Sequence, residues 1–288
     1  MGVPRFLPEV RGMSRTGGFI LDEKGVLPMI TVPFPDGTRE PGASAGGDVH
    51  MTAKANRLGE RHQNGGSSLR CEGLHHYLGV GDNRVHVLDG VSLDLKAGKI
   101  YSIMGPSGCG KSSLLYLLGL LDRPSDGRIW IGDTDVSGLD DNELSQLRNR
   151  EIGFVFQFHF LLREFTALEN IRIPMRRAGV RDGSEMDDRA AHLLGLVGLG
   201  DKTHRYPDQL SGGEQQRVAI ARSLANEPSV VLADEPTGNL DMANSTRVFE
   251  MMQKLAHQTG LTLLIVTHNS QIAKASDSAM EMRDGRLL

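Results

Sequence analysis

Gly105-Pro106-Ser107-Gly108-Cys109-Gly110-Lys111-Ser112-Ser113 fits the pattern G-x-x-x-x-G-K-[ST], a phosphate-binding loop. Its glycines let the backbone turn tightly and point several N–H groups at phosphate oxygens. Lys111 is placed to reach the β- and γ-phosphates, and the Ser112 hydroxyl to ligate a bridging Mg²⁺. The context agrees. Lys99–Met104 reads as a buried strand entering the loop, and Ser113–Gly119 as a helix leaving it with its positive end toward the phosphates.

Outward from this loop the chain divides in two. Residues 1–66 hold six of the 12 prolines and 12 of the 35 glycines, with apolar residues only in short fragments. Such a segment cannot bury enough surface to offset its ordering entropy, so disorder is expected there. Translation beginning at Met51 would account for most of it. From about 67 the pattern is regular. Ser68–His75 and Val85–Leu95 read as antiparallel strands, and Gly127–Gly132 and Ile152–Phe156 as further strands. Asp140–Arg150 reads as an Asp-capped helix. Helical stretches follow near 167–177, 186–197 and 212–225, then strands at Val230–Ala233, Thr262–Thr267 and Ala279–Met282. Strands alternating with helices indicate a parallel α/β core.

Composition excludes several classes. A net charge of −4 over 288 residues argues against a general nucleic-acid binder. Two cysteines, Cys71 and Cys109, make no disulfide framework and fit a reducing cytosol. The longest apolar run, Leu114–Leu121, is far short of a spanning helix, and the start lacks a basic region followed by an apolar core. A soluble protein is expected, with any membrane role supplied by a partner.

Two more stretches carry chemistry. Val230–Ala233 is an apolar strand running into Asp234 and Glu235. Beside a phosphate loop, the first acid is suited to hold Mg²⁺ and the second to act as general base toward the attacking water. Leu210-Ser211-Gly212-Gly213-Glu214-Gln215-Gln216 puts a capping serine and two glycines at a helix start, a second backbone-lined anion site.

This set resembles the ATP-binding-cassette (ABC) ATPase family over about residues 67–288. Leu210–Gln216 is similar to its signature motif, Gly105–Ser112 to its Walker A and Val230–Glu235 to its Walker B. The resemblance implies the P-loop NTPase α/β fold with a parallel core sheet, an antiparallel β subdomain and a helical subdomain at about 157–226. It implies ATP and Mg²⁺ as cofactors and further roles by position. Gln157 matches the glutamine that senses Mg²⁺ and water, Asn239-Leu-Asp241 the D-loop, His268 the switch histidine at the γ-phosphate, and Tyr77 the aromatic stacked on adenine. It also implies a head-to-tail homodimer, in which Ser211, Gly212 and Gly213 of one chain face the phosphate loop of the other.

Phe156–Ile171, Leu232–Asp241 and Glu281–Leu287 look like the lipoprotein-releasing (LolD) branch, a subgroup that also holds macrolide-exporter (MacB) and cell-division (FtsE) cassettes. Two positions depart from its pattern: Phe160 stands for a histidine and Arg163 for a proline. The resemblance implies an ATPase peripheral on the cytoplasmic face of the inner membrane, driving a LolC/LolE-like or MacB-like integral permease. An FtsE-like regulator of cell-wall enzymes is the alternative. Some residues of the apolar run Phe156–Leu162 are expected to face that partner rather than the core.

Overall fold

The computed structural model describes residues 66–288 except Val80, Asp82, Asn83, Val180 and Arg181. The expectation of disorder for residues 1–66 concerns, but for Gly66, residues outside the described ones. Two 12-residue strands, β1 (Ser67–Leu78) and β2 (Val85–Lys96), pair antiparallel, and β3 (Ile100–Met104) follows. Helix α1 (Lys111–Leu118) leaves the phosphate loop. Next come β4 (Asp126–Ile131), β5 (Thr134–Asp135), α2 (Asp141–Glu151) and β6 (Ile152–Val155). Helices α3 (Ala167–Ala178), α4 (Gly183–Leu196) and α5 (Gly212–Ser223) precede β7 (Val230–Asp234). The chain continues through α6 (Met242–Thr259), β8 (Thr262–Val266), α7 (Ser270–Lys274), β9 (Ser278–Arg283) and β10 (Arg286–Leu287).

The strands form two sheets. One runs β2-β1-β4-β5 and is antiparallel. The other runs β10-β9-β3-β8-β7-β6 and is parallel except where β10 turns back on β9. Side-chain alternation along the buried strands divides the interior between two faces. Val231, Ala233, Leu263 and Ile265 pack with α3–α6. Their neighbours Val230, Leu232, Leu264 and Val266 pack with α1, α2 and the antiparallel sheet. The central strands are covered on both sides, as all-parallel sheets require.

Caps fix where the helices start. Asp140, Thr166, Asp182 and Ser211 each accept from the backbone N–H three residues on, and a Glu at that position reaches back to the cap backbone. Helix α2 therefore opens where its capping aspartate predicted. The turn of Asp284 (φ 46°) and Gly285 (φ 76°) joins β9 to β10, an Asp-Gly hairpin that the sequence reading did not identify.

Candidate active site

Strand order places the chemistry. Strands β3, β8, β7 and β6 lie side by side and parallel, so their carboxyl ends share one edge. The phosphate loop, His268, the Asp234-Glu235 pair and Gln157 leave from those ends. In open parallel sheets this edge is where ligands bind.

The loop is held too tightly for side chains at two glycines. A Cβ at Gly105 would lie 2.2 Å from the Met282 carbonyl oxygen, and at Gly110 (φ 105°) 2.8 Å from that of Val87. The Lys111 ammonium donates to the Gly105 and Pro106 carbonyls at 2.8 and 2.9 Å. It must leave those carbonyls to reach a phosphate. Lys111, Ser112 and Ser113 open α1, and no side chain caps that helix. Its first N–H groups are thus left for an anion. The Cys109 sulfur is buried, 3.8 Å from the Lys111 ammonium.

The Ser112 side chain lies near the Asp234 carboxylate. Burial pushes that carboxyl up from the usual range, the nearby Ser112 hydroxyl opposes this, Glu235 adds to it and Lys111 opposes it. A buried carboxylate beside a hydroxyl is a hard-oxygen donor set, and it fits Mg²⁺.

Glu235 has φ 45°, a conformation that non-glycine residues rarely hold. Its N–H donates to Val266 O at 2.9 Å and its carbonyl accepts from Gly238 N–H at 3.0 Å. These bonds aim the carboxylate at the switch segment. The His268 Nδ1 lies 2.9 Å from Glu235 Oε1, and Thr267 Oγ1 donates to Oε2 at 3.3 Å. The expected base and the expected γ-phosphate sensor are thus in contact.

Gln157 and Asn239 bond reciprocally: Gln157 Nε2 donates to Asn239 Oδ1 at 3.1 Å, and Asn239 Nδ2 to the Gln157 carbonyl at 3.0 Å. Asp241 caps α6, accepting from Asn244 N–H at 3.0 Å. The Tyr77 ring stacks on His86 at 4.2 Å and 9°, with the Arg84 guanidinium 4.2 Å from its centroid. Both cannot occupy one face at that distance, so each covers its own. An adenine ring has to displace one of them.

Ser211 caps α5 and Gly212 and Gly213 open its first turn, with Ser211 and Gly212 exposed. Ser211 Oγ donates to Glu214 Oε2 at 3.0 Å. Glu214 is held down to about 2, first by Lys202 and then by the Ser211 backbone.

Residues the sequence reading passed over shape the segment after Gln157. Arg222, mostly buried, donates to the Phe160 and His159 carbonyls, both at 2.7 Å. Fully buried Asn170 donates to the carbonyls of Leu162, Phe165 and Thr166 and accepts from Leu162 N–H. Phe160 is held at φ 46°. As expected for part of this run, Phe158 and Phe160 are turned out, 63% and 52% exposed. The available signal was a polar residue on the apolar stripe of α3.

Comparison with known proteins accounts for this geometry. A family model described as ABC transporter matches residues 88–238. The lipoprotein-releasing system ATP-binding protein LolD of Aquifex aeolicus is 50% identical over 70% of this chain and 89% of its own. That of Anaeromyxobacter dehalogenans is 52% identical over 70% and 84%. A dimeric ATP-binding cassette, solved in a post-hydrolysis state with ADP and Pi, superposes with a TM-score of 0.70 at 38% identity, over 76% of this chain and 96% of that one. On the matched loop, the acid-ended strand and these relatives together, the chain belongs to the ABC transporter family, among its ATP-hydrolysing, ATP-binding subunits.

Proposed function

We propose that this protein is the LolD-like ATPase of a lipoprotein-releasing transporter. It works as a homodimer on the cytoplasmic face of the inner membrane and drives a separate LolC/LolE-like permease. The observation that carries the reading is the agreement of LolD relatives near 50% identity with an aromatic segment turned outward beside the ATP site. Among the described residues no helix is long and apolar enough to cross a membrane, which leaves that task to a partner.

In this reading the loop amides and Lys111 hold the β- and γ-phosphates, and Tyr77 receives the adenine on a face vacated by His86 or Arg84. Ser112, Asp234 and Gln157 are the residues to hold Mg²⁺. When bound there, the ion would neutralise negative charge on the phosphates. Glu235 takes the proton of the attacking water, and the His268 contact keeps its carboxylate aimed. Ser211, Gly212 and Gly213 grip the γ-phosphate held by the partner chain, with Asp241 close by at the start of α6. Hydrolysis removes the group that both chains hold, and the dimer opens.

The test is recovery of a Glu235→Gln variant from membranes in MgATP, with the bound proteins identified. A four-helix permease with a large periplasmic domain, together with lipoprotein, supports the proposal. A macrolide-exporter permease without lipoprotein, or only cell-division proteins, overturns the lipoprotein assignment.

A further inference from the structure

Tyr77 and His86 pair across the antiparallel sheet, and β1 and β2 are irregular there. Register shifts fall on both sides of the His76–Leu88 pair. His76 and Leu88 stay buried, while His75, His86 and Asp89 are all turned toward the opposite surface. Bulges re-aim side chains in this way. Three donor atoms meet as a result. His75 Nδ1 lies 3.2 Å from His86 Nε2 and 3.5 Å from Asp89 Oδ1, and the last edge, His86 Nε2 to Asp89 Oδ1, is 4.0 Å. Among the described residues this is the only group of three His, Cys, Asp or Glu side chains whose donor atoms converge.

We propose that His75, His86 and Asp89 bind a borderline divalent transition metal, with Zn²⁺ the best fit. Metal–donor distances of 2.0–2.1 Å give a tetrahedron with edges of roughly 3.3 Å. Two edges of this triangle are within about 0.2 Å of that, and the third closes by a side-chain rotation. Two imidazoles and one carboxylate suit Zn²⁺, Co²⁺ or Ni²⁺, and disfavour the hard, oxygen-seeking Mg²⁺ that the ATP site requires.

The surroundings favour metal over a surface ion pair. The Arg286 guanidinium, arriving on β10, binds Asp89 Oδ2 through Nε at 2.8 Å and through Nη2. That bond commits one carboxylate oxygen and leaves Oδ1 facing the two imidazoles. The Asp89 N–H donates to Gly285 O at 2.9 Å, fixing the backbone as well. Ligand orientation set by an outer hydrogen bond is usual in metal centres. The side chains are 33%, 34% and 30% exposed, so a fourth position is open to water. The His86 ring that would bind the metal is the one covering Tyr77. A metal therefore fixes the face opposite Arg84 and leaves adenine only the Arg84 side.

The experiment uses the full chain without a histidine tag and without nucleotide. Zn²⁺ uptake is followed by calorimetry, and Co²⁺ uptake by visible absorption. One site is expected, with the intense bands of four-coordinate cobalt, which Zn²⁺ abolishes. His75→Gln and His86→Gln should each weaken it at least tenfold while leaving the metal-free melting temperature unchanged. In the unsubstituted chain, Zn²⁺ should shield His75 and His86 from carbethoxylation, read by peptide mass. Absence of a stoichiometric site, an affinity unchanged in both variants, or shielding of other histidines alone overturns the proposal.

Discussion

The Arg222 guanidinium donates to the His159 carbonyl at 2.7 Å. It thereby ties the outward aromatic segment to α5, the helix whose first turn grips the second nucleotide in the proposed dimer. The same guanidinium holds the Phe160 carbonyl, also at 2.7 Å, and the His159 ring lies near the Gly212 backbone. A push on Phe158 would therefore reach α5 through these contacts.

Substituting His159 with alanine should leave ATP binding intact and lower partner-stimulated hydrolysis by about fivefold or more, the scale of a typical coupling energy. ATPase assays with and without membranes check this. Burial holds the His159 imidazole below its ordinary range, the nearby Gly212 backbone opposes this, and Arg222 adds to it. A depressed basic group contributes stability that is present above its unfolded value, roughly pH 6.5, and lost as pH falls through the lower folded one. Denaturant midpoints should fall on acidification below about pH 6.5, less so in His159→Gln.

Glu235→Gln should lower hydrolysis by about 10²- to 10⁴-fold, the usual worth of a positioned base, with nucleotide binding kept. His268→Ala should do the same to a smaller degree, because the carboxylate keeps its backbone setting and its Thr267 contact. Phosphate release and nucleotide-binding titrations separate the two quantities.

Asp234 is held above the usual carboxylate range by burial, so its charge costs stability in the nucleotide-free protein. Asp234→Asn removes that charge at nearly constant volume. Its nucleotide-free melting temperature should rise by about 2 °C while hydrolysis is lost. The opposing shifts in calorimetry and turnover would mark a site built for function at the expense of stability.

Asn170→Ala leaves the backbone of the 162–166 turn without its buried partner. A loss of about 2–3 kcal/mol in urea unfolding is expected from stranded polar groups. Protease cleavage between 156 and 166 should increase with it.

The two thiols should both resist alkylation. Burial pushes Cys71 up to about 12, which removes its thiolate at neutral pH. Cys109 is buried in the phosphate loop, so it should react slowly, and more slowly still with MgATP. Peptide mass after timed labelling reads both sites, and equal Cys109 rates with and without MgATP would count against its place beside the nucleotide.

The parts legible in the sequence were those fixed by local chemistry. The glycine-rich loop, the acid-ended strand and the Asp140 cap each bring their reason with them within a few residues. Helix α4 was harder, because its start at Gly183 depends on the Asp182–Glu185 box rather than on an apolar face. Hidden altogether were contacts between distant stretches. Arg222 reaches carbonyls 62 and 63 residues away, and no periodicity reports that. The pairing of Gln157 with Asn239 spans 82 residues. The outward turn of His86 and Asp89 depends on register shifts, which a regular strand pattern conceals. The β9–β10 hairpin had a readable signal in Asp284-Gly285, and its strand is only two residues long.

That hairpin bears on how the protein is made. Met282 O walls the Gly105 turn, and Gly285 N–H donates to the Cys109 carbonyl at 3.1 Å. The phosphate loop is synthesised early, and the residues that set its shape emerge more than 170 positions later. A ribosome-bound chain therefore carries an unfinished nucleotide cradle until β9 and β10 dock. Occupancy by ATP then becomes a readout of whether that hairpin is in place.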